Sequence, residues 1–182
     1  MEQNRIDARK MWQVLFKREF YIDMAVFVFV CMASVFVILF LSVKLDSHLG
    51  FSPFIGHPWD VLFSLFFATS GAFIIWRAYA YLVFAGEGSP CPQMGGTKKL
   101  VTTGPYSVVR HPSVVGKFFG ILALGLLSGS VTFTFMVIPA LSAWSVFYNR
   151  FIQEKGCVER FGKDYIEYRR RVPMFIPKLS KR

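Results

Sequence analysis

Two residues with chemical capability, Arg110 and His111, stand side by side just before a strongly apolar run. They belong to segment 104–112, which reads Gly-Pro-Tyr-Ser-Val-Val-Arg-His-Pro. Farther along the chain, Glu154 and Arg171 lie in a basic tail. A guanidinium such as that of Arg110 or Arg171 can hold a carboxylate bidentately, whereas a protonated amine needs a base such as His111 or Glu154. These four side chains therefore suit two classes of nucleophile and are candidates for catalytic residues, although by themselves they could equally serve as a helix cap, a membrane anchor or a salt bridge.

The composition is that of a small membrane protein. Hydrophobic residues make up 54% of the 182 residues and aromatic residues 18%, more than a soluble domain of this size normally carries. The net charge of +10 lies outside the apolar runs, where basic residues mark the cytoplasmic side of a bilayer. The sequence therefore predicts a membrane rather than a nucleic acid as the partner.

Cysteine and histidine spacing indicates no metal site. Cys31, Cys91 and Cys157 are far apart and leave an odd count, so they predict neither a disulfide framework nor a zinc site. His48 and His57 are nine positions apart with no convincing acid cluster beside them. We assign no metal to the chain.

Apolar runs define the elements that must position the catalytic candidates. The first run has no formal charge over twenty residues, enough to cross a hydrocarbon core of roughly 30 Å. Arg77 interrupts the second run, and its role stays open. The last two runs are joined by small residues and predict a helical hairpin. The runs are 24–43, 61–84, 114–127 and 131–148. We predict an all-α polytopic membrane protein with about four transmembrane helices and a single domain over 1–182.

Charge placement predicts the orientation of these helices. Basic residues precede the first run, whereas the connector 44–60 carries one Lys and two Asp. An even number of spans returns the basic connector 85–112 and the basic tail to the side of the N-terminus. We therefore expect both termini in the cytoplasm. The ends of the hairpin must also meet, which brings segment 104–112 and the tail together at one membrane face.

The tail has the pattern of an amphipathic helix. Its apolar and aromatic residues recur at spacings of three, four and seven, at Phe151, Val158, Phe161, Tyr165 and Tyr168. Gly162 can break this helix, and Pro173 and Pro177 prevent its continuation. We predict a cytosolic broken helix followed by an extended end.

Glycines in the third run predict close helix packing. Gly116 with Gly120, and Gly125 with Gly129, form two small-xxx-small spacings that let helix backbones approach each other. Packing is therefore the expected role of these glycines, including Gly120.

Four short motifs follow each other in a characteristic order. They read Gly-Glu-Gly-Ser-Pro at 86–90, Leu-Val-Thr-Thr-Gly-Pro-Tyr at 100–106, Val-Arg-His-Pro at 109–112 and Phe-Gly-Lys-Asp-Tyr-Ile-Glu-Tyr at 161–168. Together they resemble the isoprenylcysteine carboxyl methyltransferase and phospholipid methyltransferase superfamily. The likeness covers the core motifs over 86–177. The N-terminal transmembrane helices of 1–85 resemble the family only in that they are transmembrane helices.

The resemblance implies an integral membrane enzyme that uses S-adenosylmethionine at the cytosolic face. An apolar acceptor, a lipid or a prenylated compound, would then enter sideways from the bilayer. The cofactor-binding residues implied by the matching motifs are Gly104, Pro105, Tyr106, Arg110, His111, Pro112, Tyr165 and Tyr168. The resemblance adds Glu154, because tails of the family usually carry a Glu-Glu pair where this chain has Gln153 and Glu154.

The resemblance leaves several functions open. An isoprenylcysteine carboxyl O-methyltransferase-like activity comes first, beside phospholipid N-methylation and small-thiol S-methylation. A membrane reductase that uses NADPH and a non-catalytic scaffold are also compatible with these motifs. Val114 and Gln153 depart from the family pattern, and such departures are expected in a scaffold that has lost its catalytic activity. The choice of cofactor separates these classes, while the acceptor and the oligomeric state are not encoded in any motif.

Overall fold

The computed structural model describes residues 18–87 and 97–177, and this part of the chain is helical without strands. Its helices are α1 (Arg18–Leu49), α2 (Trp59–Phe84), α3 (Pro112–Ser128), α4 (Ile138–Tyr148) and α5 (Glu154–Arg171). A 3₁₀ turn, Gly104–Ser107, precedes α3, and the π-helical segments Phe133–Val137 and Asn149–Gln153 flank α4. The predicted all-α class is confirmed. Cys91, residues 88–90 of the first motif and the basic residues before position 18 lie outside the described residues.

Three helical stretches are long and apolar enough to cross a membrane. They are Phe29–Leu49, Trp59–Phe84 and the continuous helix Phe133–Arg171, whose charged part begins after α4. The 17 residues of α3 reach about 25 Å at 1.5 Å per residue, slightly less than a hydrocarbon core of roughly 30 Å. The count of four spans therefore stays a prediction.

The turn of the predicted hairpin is held by a carboxylate from α1. Gly129 ends α3 in the left-handed conformation at φ 62°, as glycine often does at a helix C-terminus. The buried Asp46 then accepts hydrogen bonds from Ser130 Oγ at 2.5 Å and from the backbone N–H of Thr132 at 3.0 Å. The Thr132 hydroxyl donates to the same carboxylate. These bonds satisfy donors at the start of the next helix and tie α1 to the hairpin.

Helices α2 and α3 pack through glycine. A Cβ atom at Gly116 would lie 2.6 Å from Cγ1 of Ile75 and 2.8 Å from the carbonyl oxygen of Gly71, so the two backbones touch here. A Cβ atom at Gly120, by contrast, would meet nothing within 4 Å. The backbone of Gly120 nevertheless lies close to α2, since a Cβ atom built at Gly71 would lie 3.2 Å from its backbone nitrogen. Both glycines thus take part in the close approach, but only at Gly116 is there no room for a side chain.

The hairpin of α3 and α4 also has a close approach. A Cβ atom at Gly125 would lie 2.7 Å from Oγ1 of Thr134. At the turn itself, a Cβ atom at Gly129 would lie 2.8 Å from Cβ of Pro53 in the α1–α2 connector. Gly125 therefore makes a close contact within the hairpin, whereas Gly129 ends α3 and packs against the connector rather than against a helix.

The tail is a broken helix, as predicted. Gly162 has φ 56° and ψ −128°, outside helical geometry, and divides α5 into two parts. The helix ends at Arg171, and Val172 is extended. No loop separates α5 from α4, however, because the π-helical segment Asn149–Gln153 carries the helix from the apolar span directly into the charged tail.

Candidate active site

The start of α3 places Arg110 and His111 at the site. Pro112 is the first residue of α3, where its missing N–H costs nothing, and His111 is the residue before the helix with φ −124° and ψ 63°. Arg110 and His111 are each only 9% exposed. A proline at the helix start thus fixes the direction of two buried, polar side chains.

Glu154, the first residue of α5, completes a buried cluster with these two side chains. Its carboxylate oxygen Oε1 lies 2.9 Å from Nη1 of Arg110 and 3.3 Å from Nε2 of His111, and the residue is 1% exposed. The His111–Glu154 contact joins residues 43 positions apart. The structure therefore confirms that segment 104–112 and the tail meet, because the hairpin returns the chain to its starting point.

The charges around Glu154 keep its carboxylate in the ionised form. A buried carboxylate is costly unless it is paired and accepts hydrogen bonds. On one oxygen, Arg110 supplies the ion pair and His111 the hydrogen bond, and Nη1 of Arg169 lies 3.8 Å from the other oxygen. The site is thus a preformed group of one anion among basic side chains.

Tyrosines connect the tail to the 3₁₀ turn and to α2. The Tyr168 hydroxyl donates a hydrogen bond to the carbonyl oxygen of Tyr106 at 2.7 Å, and both residues are buried. The Tyr106 hydroxyl donates a longer bond, 3.5 Å, to the carbonyl oxygen of Ala78. Burial raises the pKa of Tyr106, so its phenol stays protonated and acts as a donor. This chain of contacts holds three elements around the cluster.

Buried polar atoms of Tyr165 and Arg110 are left without a hydrogen-bond partner among the described residues. They are the hydroxyl oxygen of Tyr165, a residue 3% exposed, and Nε and Nη1 of Arg110, of which Nη1 forms the ion pair with Glu154. Most buried polar side-chain atoms in proteins do have a partner. A polar ligand would supply one here, which makes these atoms candidates for ligand binding.

The segment after α5, which we call the C-terminal strap (172–177), covers the site. The carbonyl oxygens of Pro173 and Met174 accept hydrogen bonds from the backbone N–H groups of Arg110 and His111, at 2.8 and 3.2 Å. The ring centroid of Phe175 lies 5.7 Å from that of His111. The strap thus fixes the backbone that carries the two catalytic candidates.

Of the remaining predicted residues, Gly104 and Pro105 help to form the 3₁₀ turn, whereas Arg171 lies at the surface. Gly104 has φ 61° and lies against the ring of Tyr81, where a Cβ atom would overlap the ring. Pro105 accepts two backbone hydrogen bonds within its own turn. Arg171, in contrast, has a side chain that is 69% exposed and pairs at 3.4 Å with Glu167 on its own helix. The structure brings Arg171 to that exposed ion pair and not to the buried cluster.

Sequence reasoning missed Arg169 and the strap. Arg169 directly follows Tyr168, a member of the apolar stripe, so the stripe itself could have indicated a position beside a buried helix face. Pro173 and Pro177 predict only a helix stop, because proline breaks helices. The pairing of the strap with the backbone of Arg110 and His111 has no sequence pattern.

Comparison with known proteins gives a family match and several relatives. The family model for phospholipid methyltransferase matches residues 59–164, more than half of the chain. This region contains Arg110, His111 and Glu154, the three residues of the buried cluster.

The relatives come from bacteria, yeast and animals. The nickel-cobalt-cadmium resistance protein NccN of Alcaligenes xylosoxydans xylosoxydans is 42% identical over 83 residues, which cover 45% of this chain and 38% of that protein. A protein-S-isoprenylcysteine O-methyltransferase of Schizosaccharomyces pombe is 40% identical over 79 residues, 43% of this chain and 33% of the relative. The human protein of the same name is 35% identical over 82 residues, 44% and 28% of the two chains. This chain thus spans only about a third of the length of these relatives. No solved structure matches it.

Proposed function

Because the chain belongs to the phospholipid methyltransferase family, we propose that it is an integral membrane methyltransferase that uses S-adenosylmethionine and a lipid-like acceptor. The observation that carries the proposal is the buried Glu154 carboxylate held by Arg110 and His111. These three residues come from the motifs of the family, and the fold brings them into contact. An isoprenylcysteine carboxyl O-methyltransferase-like activity fits best, since the relatives from yeast and human carry that name.

The side chains present fit S-adenosylmethionine. This cofactor has hydroxyl, ammonium and carboxylate groups and carries a methyl group activated by a sulfonium. Glu154 is suited to accept a hydrogen bond from a ribose hydroxyl or to hold an ammonium. The unpartnered Tyr165 hydroxyl and Arg110 Nε are donors for an acceptor atom of the ligand. Tyr106 and Tyr168 hold the 3₁₀ turn and the tail together around these groups.

The proposed reaction asks the chain mainly for alignment and for exclusion of water. Alignment of two reactants is worth about 7 to 11 kcal/mol when it is good. Arg110 can hold a carboxylate acceptor, which needs no proton removal. The C-terminal strap and Phe175 cover the cluster and limit the access of water. For an amine acceptor, we assign the role of proton acceptor to His111, whose ring nitrogen Nε2 lies 3.3 Å from the Glu154 carboxylate.

Lateral entry of the acceptor is supported by the exposed apolar helices. Large apolar side chains of α2 face outward, for example Phe66 at 61% and Trp76 at 65% exposure. The hydrocarbon core of the bilayer surrounds both these side chains and a lipid or prenyl chain, so the acceptor can reach the protein without passing through water. In our proposal both termini and the site lie on the cytoplasmic side.

A second candidate acceptor class follows from the relative NccN. That relative carries a name of nickel, cobalt and cadmium resistance rather than of prenylcysteine methylation. Its identity of 42% lies in the same range as that of the yeast methyltransferase. The second candidate is therefore methylation by the same cluster of an acceptor without a prenyl group, such as the phospholipid that the family model names.

Calorimetric titration tests the cofactor. The purified full chain in detergent is titrated with S-adenosylmethionine, S-adenosylhomocysteine and, in parallel, NADPH. We expect saturable binding of the two sulfur ligands, and at least tenfold weaker binding by Glu154→Gln. Glu167→Gln is the matched control, because Glu167 lies on the same helix but is paired at the surface. Binding of NADPH alone would establish a reductase, and silence from all three ligands in folded protein a scaffold.

An acceptor screen follows the titration. Farnesylcysteine, phosphatidylethanolamine and an alkyl thiol represent the carboxylate, amine and thiol classes. We expect methylation of the prenylated carboxylate, and a loss of at least a hundredfold in kcat/KM for Arg110→Gln. Methylation of the amine or the thiol alone would refute the carboxylate assignment while leaving the cofactor result unchanged.

A further inference from the structure

Arg77 is a cation on the outward face of a membrane-spanning helix. Its side chain is exposed, and no acidic side chain of the described residues forms an ion pair with it. The guanidinium carbon lies 5.9 Å from the ring centroid of Phe73 and 5.6 Å from that of Tyr81, one turn to either side. Charged residues in such segments are costly, and those that occur usually have a partner.

The depth of Arg77 places it near the boundary of the hydrocarbon core. With 26 residues, α2 is about 39 Å long and exceeds a core of roughly 30 Å. Arg77 lies seven residues before the end of α2 at Phe84, about 10 Å along the helix axis from the end that faces the head-group region. The Arg77 side chain can extend toward that region along its aliphatic stem.

A shallow groove lies on the same side of α2, beside Arg77. It is lined by Ala80, Tyr81, Phe84 and Ala85, all without charge. The two alanines leave room between the aromatic rings, and Phe84 is 80% exposed. The groove thus combines an apolar wall with a guanidinium one turn deeper.

We infer that Arg77 and this groove bind an anionic phospholipid from the surrounding leaflet. The phosphate pairs with the guanidinium, the head group occupies the space at Ala80 and Ala85 toward the end of α2, and the acyl chains pass over the exposed Phe73 and Trp76 on the deeper side. Charge complementarity selects the ligand: basic pockets at the membrane interface bind acidic head groups, and a zwitterionic lipid carries a cation that Arg77 repels. This site contains no residue of the Arg110–His111–Glu154 cluster, although Tyr81 also contacts Gly104, and it does not depend on the proposed activity.

Native mass spectrometry of the full chain in neutral detergent tests the inference. The protein is titrated with phosphatidylglycerol or phosphatidylcholine of identical acyl chains. We expect about fivefold tighter binding of phosphatidylglycerol, as one basic residue near the surface contributes about 1 kcal/mol. Arg77→Gln should abolish this preference. Lys44→Gln should retain it, although Lys44 also stands over an aromatic ring, at 5.7 Å from that of Phe40.

Several outcomes would overturn the assignment. If Arg77→Gln preferred phosphatidylglycerol as strongly as the unchanged protein does, Arg77 would not bind the lipid. If Arg77→Gln and Lys44→Gln lost this preference equally, the attraction would be due to the overall positive charge. Displacement by inorganic phosphate at the same concentration would identify a simple anion site, and displacement by farnesylcysteine an acceptor site. Ala80→Phe keeps the charge but fills the groove, so it should also weaken binding. Unchanged binding by this variant would refute the groove, even if Arg77→Gln failed to fold.

Discussion

At the scale of single residues, the cluster is organised around one buried carboxylate. Glu154 compensates the buried charge of Arg110, and each of the two would be costly to bury without the other. His111 adds a second donor to the same oxygen. The exposed pair of Arg171 and Glu167 shows the contrast, because water screens both of its charges.

Replacement of Glu154 by Ala should therefore lower stability strongly. The change leaves Arg110 buried without its partner, which costs about 3 to 5 kcal/mol. Glu167→Ala removes an exposed pair and should cost at most about 0.5 kcal/mol. Chemical unfolding in detergent measures both, and equal losses would contradict the assignment of Glu154 as the buried partner.

The hydrogen bond of Tyr168 gives a smaller test. Tyr168→Phe removes the donor to the Tyr106 carbonyl and should cost about 1 kcal/mol. Tyr148→Phe is the control, since Tyr148 is 37% exposed. If both variants unfold at the same denaturant concentration, the link between tail and turn does not stabilise the fold.

At the scale of helices, packing depends on which glycine faces the neighbour. The same Gly-xxx-Gly pattern contains Gly116, where a Cβ atom would collide with α2, and Gly120, where a Cβ atom would meet nothing within 4 Å. The spacing indicated a close approach but not its register, because both glycines satisfy the pattern equally.

Gly116→Ala and Gly120→Ala separate the two positions. A methyl group at Gly116 collides with Ile75 and with the Gly71 backbone, so we expect a loss of about 1 to 3 kcal/mol. At Gly120 the methyl group meets nothing, and the higher helix propensity of Ala should leave stability equal or raised by up to about 1 kcal/mol. Thermal unfolding of the two variants decides, and greater sensitivity at Gly120 would contradict the packing of α2 on α3.

The carboxylate between α1 and the hairpin gives a second test of element packing. Asp46→Ala leaves donors of Ser130 and Thr132 unpaired and should cost about 1 to 3 kcal/mol. Asp60→Ala, next to the exposed His57, should cost less than about 1 kcal/mol. If the free energy of unfolding fell more for Asp60→Ala than for Asp46→Ala, the proposed stabilisation of the turn by Asp46 would be refuted.

At the scale of the whole molecule, contacts at both ends of α2 support the prediction that α3 also crosses the membrane. The backbone N–H of Phe54 donates to the carbonyl oxygen of Gly129 at 3.3 Å, beside the start of α2. Tyr106, just before α3, contacts Ala78 near the other end of α2. Helix α3 therefore runs antiparallel along α2.

Cysteine labelling in sealed vesicles tests the number of spans. Ser52→Cys and Glu159→Cys, each in a background without native cysteines, are treated with a reagent that does not cross membranes. Four spans place positions 52 and 159 on opposite sides, so only one variant should react from outside. Reaction of both from the same side would show that α3 does not cross.

The sequence alone determined the class of the protein, its family and the motifs of the site. Apolar length, helical periodicity and proline or glycine breaks are local properties, so the helical class, the broken tail and the hairpin turn could be predicted from them. Family-like motifs identified Arg110, His111 and Glu154 one by one. Only the tertiary structure decided that the three touch, that Arg171 does not join them, and that the strap and Arg169 do. Contacts between residues 43 positions apart depend on the register and rotation of packed helices, and no local pattern of the chain encodes these.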